Sequence, residues 1–236
     1  MGLTGFLAAF LAASPLKPLT AKGLPAASSL NDRGEYVISL AGKRIGTENF
    51  EIRATANGIE AEGKVEMRVP QEGKSVEFRT SSKLVLDPEL QPLTYSWSQK
   101  GAQSSQLEIQ FQPSPAKVRY KTVTGEEDAR DFELSKEVVV LDNNVFHHYQ
   151  LIAQKYSRSG SDKQTLPAFV PQEALPGTLV VQDAGPDSAE VGGQKQTLRH
   201  LVFSTELKQI DLWVDEQGRV RRIYNSDTQL DAVRKR

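Results

Sequence analysis

The chain is 236 residues long, carries 29 Lys and Arg against 30 Asp and Glu for a formal net charge of -1, and contains no cysteine. Balanced and interspersed charge excludes the one-sided basic surface with which a nucleic-acid binder meets phosphates. The lack of cysteine excludes disulfides, thiolate metal sites, cysteine nucleophiles and lipid attachment at a cysteine. The densest basic run, Arg219, Arg221 and Arg222, is interleaved with Asp211, Asp215, Glu216, Asp227 and Asp231, so it reads as a solvated mixed surface.

In chain order, Leu3 to Ala13 is an apolar stretch of Leu, Phe, Ala and Gly, followed by Ser14-Pro15 and small residues through Ser29. It is shorter than the roughly 20 apolar residues of a membrane-spanning helix and has the length of a signal-peptide core, although no Lys or Arg precedes it. Residues 1–30 are therefore expected to be a signal peptide and flexible leader. Residues 31–236 are expected to form one β-rich domain, exported to the periplasm, without a transmembrane span in the mature chain.

Tyr36 to Leu40 and Ile45 to Ala54 read as a hairpin around Gly42-Lys43-Arg44, with Phe50 and Ile52 marking an inward face. After the Asn57-Gly58 turn, Ile59, Ala61, Gly63, Val65, Met67 and Val69 alternate with charged residues, as on a half-buried strand. Further alternations contain Val76 and Phe78; Leu84 and Leu86; Leu93, Tyr95 and Trp97; Leu107, Ile109 and Phe111; Val118 and Tyr120; Phe132 and Leu134; and Val138 to Leu141. That makes about eight strands before one helix, the spacing of a sheet that curls or closes. The helix is placed at about 143–156, with Asp142 as its N-cap and Val145, Tyr149, Ile152 and Tyr156 as a stripe packed on the sheet. Pro167, Pro171 and Pro176 predict an irregular stretch, after which strands resume at Thr178 to Gln182, Thr197 to Ser204, Ile210 to Val214 and Arg219 to Tyr224.

Several short motifs follow the same order as landmarks of a known group. They are Tyr36 to Gly42, Ile45-Gly46-Thr47-Glu48, Asp87-Pro88-Glu89-Leu90-Gln91-Pro92, the Asp142 helix, Leu212-Trp213-Val214-Asp215 and Arg219 to Ile223. Over most of residues 34–230 the chain resembles an exported bacterial domain-of-unknown-function family, similar in architecture to the half-barrels of the lipoprotein carriers LolA and LolB. The resemblance implies a curved antiparallel sheet with a helix against its concave side, in some members enclosing a hydrophobic ligand. It carries no catalytic residues, and this chain departs from an outer-membrane lipoprotein in having no anchoring cysteine.

No stretch of the chain has the spacing of a known reaction centre. His147 and His148 are consecutive on the helix, so they point about 100° apart and have neither His nor a carboxylate at i±4, which favours a structural role over metal binding. His200 has no partner legible in sequence. There is no G-x-S-x-G, no H-E-x-x-H and no phosphate-binding glycine loop, and Glu126-Glu127 lies in a turn. No catalytic residue, metal ligand or cofactor is assigned.

Aromatic residues on successive strands offer a different lead. Tyr95, Trp97, Phe111, Tyr120 and Phe132, with Tyr149 from the helix and Trp213 from the last hairpin, would line an apolar cavity if the sheet curls incompletely. For any one of them ordinary core packing is the simpler explanation. The expectation is a mainly β protein, a curled antiparallel sheet or half-barrel with one packed helix, that acts without catalysis in the cell envelope. It would bind a lipid or other hydrophobic small molecule. The competing role is a structural or assembly factor that presents a sheet edge or face to another envelope protein, with a hydrolase assembled from distant strands ranking behind both.

Overall fold

In the computed structural model, residues 30–71, 74–100, 104–122, 124–206 and 208–235 are described. The expected signal peptide lies outside them. Nine strands precede the helix: β1 (Asp32–Leu40), β2 (Lys43–Thr55), β3 (Gly58–Gln71), β4 (Lys74–Leu86), β5 (Pro92–Lys100), β6 (Ser105–Gln110), β7 (Ala116–Thr122), β8 (Glu127–Phe132) and β9 (Val139–Val140). After α1 (His147–Ser159) come β10 (Lys163–Val170), a short helical turn at Pro171–Glu173, β11 (Leu175–Val191), β12 (Gln194–Ser204), β13 (Gln209–Val214), β14 (Val220–Asn225) and β15 (Leu230–Arg234).

All fifteen strands form one sheet in the order β8-β7-β6-β5-β4-β3-β2-β1-β15-β14-β13-β12-β11-β10-β9. Neighbours are antiparallel except for the short β9–β10 pair. The curled sheet with one helix expected from the alternations is thus the architecture, and backbone hydrogen bonds do not close it into a barrel: β8 and β9 are its two ends. Side chains bridge the seam. Phe132 from β8 packs on Phe169 from β10 with ring centroids 5.0 Å apart, and the Tyr120 hydroxyl donates to the Pro171 carbonyl at 3.2 Å.

The two halves of the chain join where β1 pairs with β15. Arg234 locks this junction through two hydrogen bonds to the Asp32 carboxylate, at 2.6 and 2.8 Å, with its guanidinium over the Phe50 ring. Two fully buried tyrosines help bind the interior together, Tyr36 donating to the Val220 carbonyl at 3.0 Å and Tyr95 to Asp142 at 2.6 Å.

The helix differs from the amphipathic rod its stripe predicts. Every residue from Val145 to Gln154 is buried, so α1 fills the inside of the curl with all its faces covered. Polar residues are accommodated because the sheet supplies partners. Gln150 and Gln154 donate to the Gly218 carbonyl at 2.7 and 2.9 Å, and Val220 N–H donates to Gln150 at 2.7 Å. The helix begins later than expected, since Asn144 takes a left-handed φ of 58° and interrupts the run, and it ends at Gly160 in the left-handed C-cap conformation. Among the described residues no helix is long and apolar enough to cross a membrane.

The proline-rich stretch expected to be irregular instead carries β10 and the start of β11. Proline is tolerated there because β10 is almost an edge strand, paired on its outer side only at Ala168 and Phe169, and Pro176 lies at the beginning of β11. At Asp183–Gly185 the β11–β12 register shifts, with Gly185 at φ 85°. Beyond this bulge the hairpin bends over the outer face of the sheet and touches β14, three places away in strand order. There Ala189, Val191, Leu198 and Trp213 form a second, small core.

Gly63 shows how tightly helix and sheet meet: a Cβ on it would lie 2.5 Å from His147 Cε1 and 3.0 Å from Glu48 Oε1. Gly177 has open space around it. Gly63→Ala is therefore expected to destabilise the domain by roughly 1–3 kcal/mol through overpacking, and Gly177→Ala to change stability by less than about 0.5 kcal/mol, both measured from urea unfolding midpoints.

Candidate functional site

Two neighbouring features dominate the interior, a buried polar cluster at the start of α1 and a cavity beside it. Glu48 sits on β2 at the same parity as Phe50 and Ile52, on the inward face, and is fully buried. Its carboxyl oxygens accept hydrogen bonds from the backbone N–H of Phe146 at 3.1 Å and of His147 at 2.9 Å, and His147 Nδ1 lies 2.9 Å from Oε1. The first turn of α1 holds no acidic residue and no side-chain cap of its own. Glu48 therefore satisfies amides that a helix start leaves without partners, at the end where an acidic group suits the helix dipole.

Asp142, expected to be that cap, is used elsewhere. It accepts from Tyr95 at 2.6 Å, from Asn143 N–H at 3.0 Å and from Gln172 N–H at 3.3 Å, tying β5 to the segments on both sides of β10. Burial pushes the Asp142 carboxyl above its ordinary range, opposed by these hydrogen bonds, while burial and the adjacent Asp142 push Tyr95 well up.

The His147 and His148 rings are 4.8 Å apart at 73°, and both are fully buried. His147 stacks on Phe50, and His148 meets Tyr95 edge-on. Among the described residues neither His148 nitrogen makes a hydrogen bond of good geometry, the Val140 carbonyl offering only a weak contact. Burial, followed by the His147 ring, holds His148 well below the ordinary imidazole value, with only the Val140 carbonyl acting against them. Among the described residues no three His, Asp or Glu side chains are grouped so as to hold a metal ion.

Beside this cluster lies a cavity of about 680 Å³. Its wall is built from the approach to α1 (Leu141 to Phe146, with Tyr149), from β10 and the start of β11, and from the β12–β13 and β14–β15 turns. Val145, Phe146, Ala168, Ile210, Ile223 and Leu230 give it an apolar lining, and Asn143, Gln172, Thr178, Thr205, Lys208 and Thr228 are among its polar residues.

Of the seven aromatics singled out in the sequence, Tyr149 lines this cavity. Tyr95, Trp97 and Phe111 are buried in the main core, with Tyr120 and Phe132 packed against it. Trp213 is on the opposite side of the sheet. Ile210 and Leu212 hold the inward positions of β13, and Trp213 belongs to the small outer core, donating to Asp187 at 2.9 Å and stacking on His200 with centroids 5.0 Å apart. His200 in turn pairs with Asp211 at 2.8 Å. The cavity was not legible because its aliphatics come from the approach to α1 and from β10, β13, β14 and β15, segments whose meeting at one end of the sheet no local pattern encodes. Glu48 had a legible signal, a carboxylic acid on the apolar parity of its strand.

No family model matches the sequence, and no curated protein matches it. Among solved structures the chain is similar to a beta-barrel-like protein of Domain of Unknown Function DUF1849 from Brucella abortus, with TM-score 0.61 and 11% identity over 89% of this chain and 98% of that one. A DUF1089 family protein from Pseudomonas aeruginosa aligns with TM-score 0.45 and 14% identity over 74% of this chain and 87% of the other. The likeness to the Brucella protein is one of fold, that of a barrel-like domain of unknown function.

The environment of His148 fixes the sign of a pH dependence. With its folded pKa held below the ordinary 6.5, the unfolded chain binds the proton first, so this group's contribution is intact above pH 6.5 and is lost as pH falls toward the folded pKa. Asp142, raised on folding, acts in the opposite sense. Between pH 6.5 and 5, His148 is expected to remove up to about 1.4 kcal/mol of stability per pH unit. Urea titrations of His148→Leu over that range should show a shallower loss than the unsubstituted protein.

Proposed function

We propose that the protein is a non-enzymatic binding protein for a hydrophobic ligand, exported to the periplasm and working there in the manner of the LolA and LolB half-barrels it resembles. The observation that carries this reading is the cavity of about 680 Å³ beside α1, within the roughly 300–1,000 Å³ of small-molecule sites and lined by apolar side chains together with polar ones. The apolar Leu3 to Ala13 stretch supports export. Because α1 fills the rest of the curl, the ligand would enter at one end of the sheet, where the β10–β11, β12–β13 and β14–β15 turns meet the approach to the helix.

Pairing of a partner strand with the sheet edge receives less support. The β8 edge carries Glu127, Asp128, Arg130 and Asp131, all exposed, and charged edges of this kind resist strand addition; β9, at the other end, offers two residues.

Native mass spectrometry of protein purified gently from the envelope fraction should reveal an added mass that disappears on delipidation. The delipidated protein should then take up the apolar fluorophore 1-aminoanthracene. Ala168→Phe inside the cavity and Thr178→Trp at its rim should each weaken that uptake by about tenfold, equivalent to ~1.4 kcal/mol. A clean apo mass together with no uptake of the fluorophore would overturn the binding reading.

A further inference from the structure

Three hydrogen-bond donors of the cavity wall are left open among the described residues. Tyr149 is 9% exposed and lines the cavity, and its hydroxyl makes no hydrogen bond within the described residues. Burial raises its pKa, which keeps the phenol protonated and a donor. Asn225 is 8% exposed. Its Oδ1 accepts from Thr228 N–H at 2.9 Å and from the Thr228 hydroxyl at 3.1 Å, which fixes the amide orientation and leaves Nδ2 as the free end. Lys208, half-buried on the β12–β13 turn, is paired with no carboxylate among the described residues.

The acidic residues of the same wall are differently placed. Asp142 is occupied by Tyr95, Asn143 and Gln172, and Glu173 accepts from the Asn143 amide at 2.6 Å. Glu206 is exposed, two positions before Lys208 in sequence. Antiparallel order puts the β12–β13 and β14–β15 turns, which carry Lys208 and Thr228, at the same end of the sheet. A donor in an apolar site costs free energy until an acceptor reaches it. The complementary ligand therefore has an apolar chain and a terminal group that accepts hydrogen bonds.

We infer that the cavity takes a long-chain acyl group by its carboxyl end, as a free carboxylate or an ester, with the chain along Val145, Phe146, Ala168, Ile210 and Ile223 and the carbonyl oxygen accepting from Tyr149 and Asn225. Lys208 serves a free carboxylate. This assignment rests on the proposed binding of a hydrophobic ligand and names its chemical class.

The test is displacement of 1-aminoanthracene from the full chain by dodecanoate, methyl dodecanoate and dodecylamine, three ligands with the same chain length. Dodecanoate or its methyl ester should displace the probe at a concentration at least about tenfold below dodecylamine; the better of the two says whether a free acid or an ester is held. Tyr149→Phe should weaken the carboxyl ligands by about fivefold relative to the probe measured on the same variant, with stability unchanged, since the hydroxyl makes no hydrogen bond within the described residues. Lys208→Met should weaken dodecanoate and spare the ester. Equal displacement by all three, a preference for dodecylamine drawn by Asp142, Glu173 and Glu206, or an unaltered selectivity in Tyr149→Phe would overturn the inference while probe binding itself still stands. Failure of the probe to bind would instead remove the reading on which the inference rests.

Discussion

The interior depends on one carboxyl group. Glu48 reaches from β2 into the curl and takes the first amides of a helix 98 residues further along the chain, together with the ring of His147. Burying such a group is unfavourable unless its oxygens are fully used, and here each oxygen accepts a backbone N–H, one of them also meeting the imidazole. The cost of burial thus becomes a constraint on position. The helix is held with its start against β2 and β3, where Gly63 leaves room for His147 and a side chain would not.

That placement accounts for the cavity. A fifteen-stranded sheet whose ends do not pair must fill its curl with something, and α1 does so, sealed on one side by Gln150 and Gln154 against the β13–β14 turn. The seam between β8 and β10 is closed by Phe132, Phe169 and Tyr120 rather than by a ladder of backbone bonds. What the helix leaves unfilled lies at its N-terminal approach. Asn144 turns the chain there with a positive φ, and the turns at one end of the sheet form the remaining wall.

The sheet was legible because its early strands obey the simplest rule available to a sequence, apolar residues at every second position between turn residues. The paired strands β2 and β3 around Asn57-Gly58 show it well, with Ile52 opposite Ala61 and Phe50 opposite Gly63. The helix was legible as an element and not in its setting. The stripe of Val145, Tyr149, Ile152 and Tyr156 left the other faces unassigned, yet His147, His148, Gln150 and Gln154 are all buried, because their partners or ring contacts come from strands and a turn remote in sequence. Its start was misplaced for the same reason: Asp142 is a good local cap, and the tertiary cap from Glu48 outcompetes it. Trp213 failed on parity. In Leu212-Trp213-Val214 three apolar residues run together, and only the small core beneath the folded-over β11–β12 hairpin explains why the middle one faces outward. The cavity lies deeper still beyond sequence, since a void is defined by the turns that fail to meet around it.

The most direct measurement is hydrogen exchange, followed by mass spectrometry, of the protein and its Glu48→Gln variant, which keeps the side-chain shape and replaces one oxygen by a donor. If Glu48 holds the helix in the curl, peptides covering residues 145–159 will exchange much faster in the variant while those from β2, β3 and β12 to β14 keep their protection. Unchanged protection of the helix, or a uniform loss across sheet and helix alike, would contradict the account.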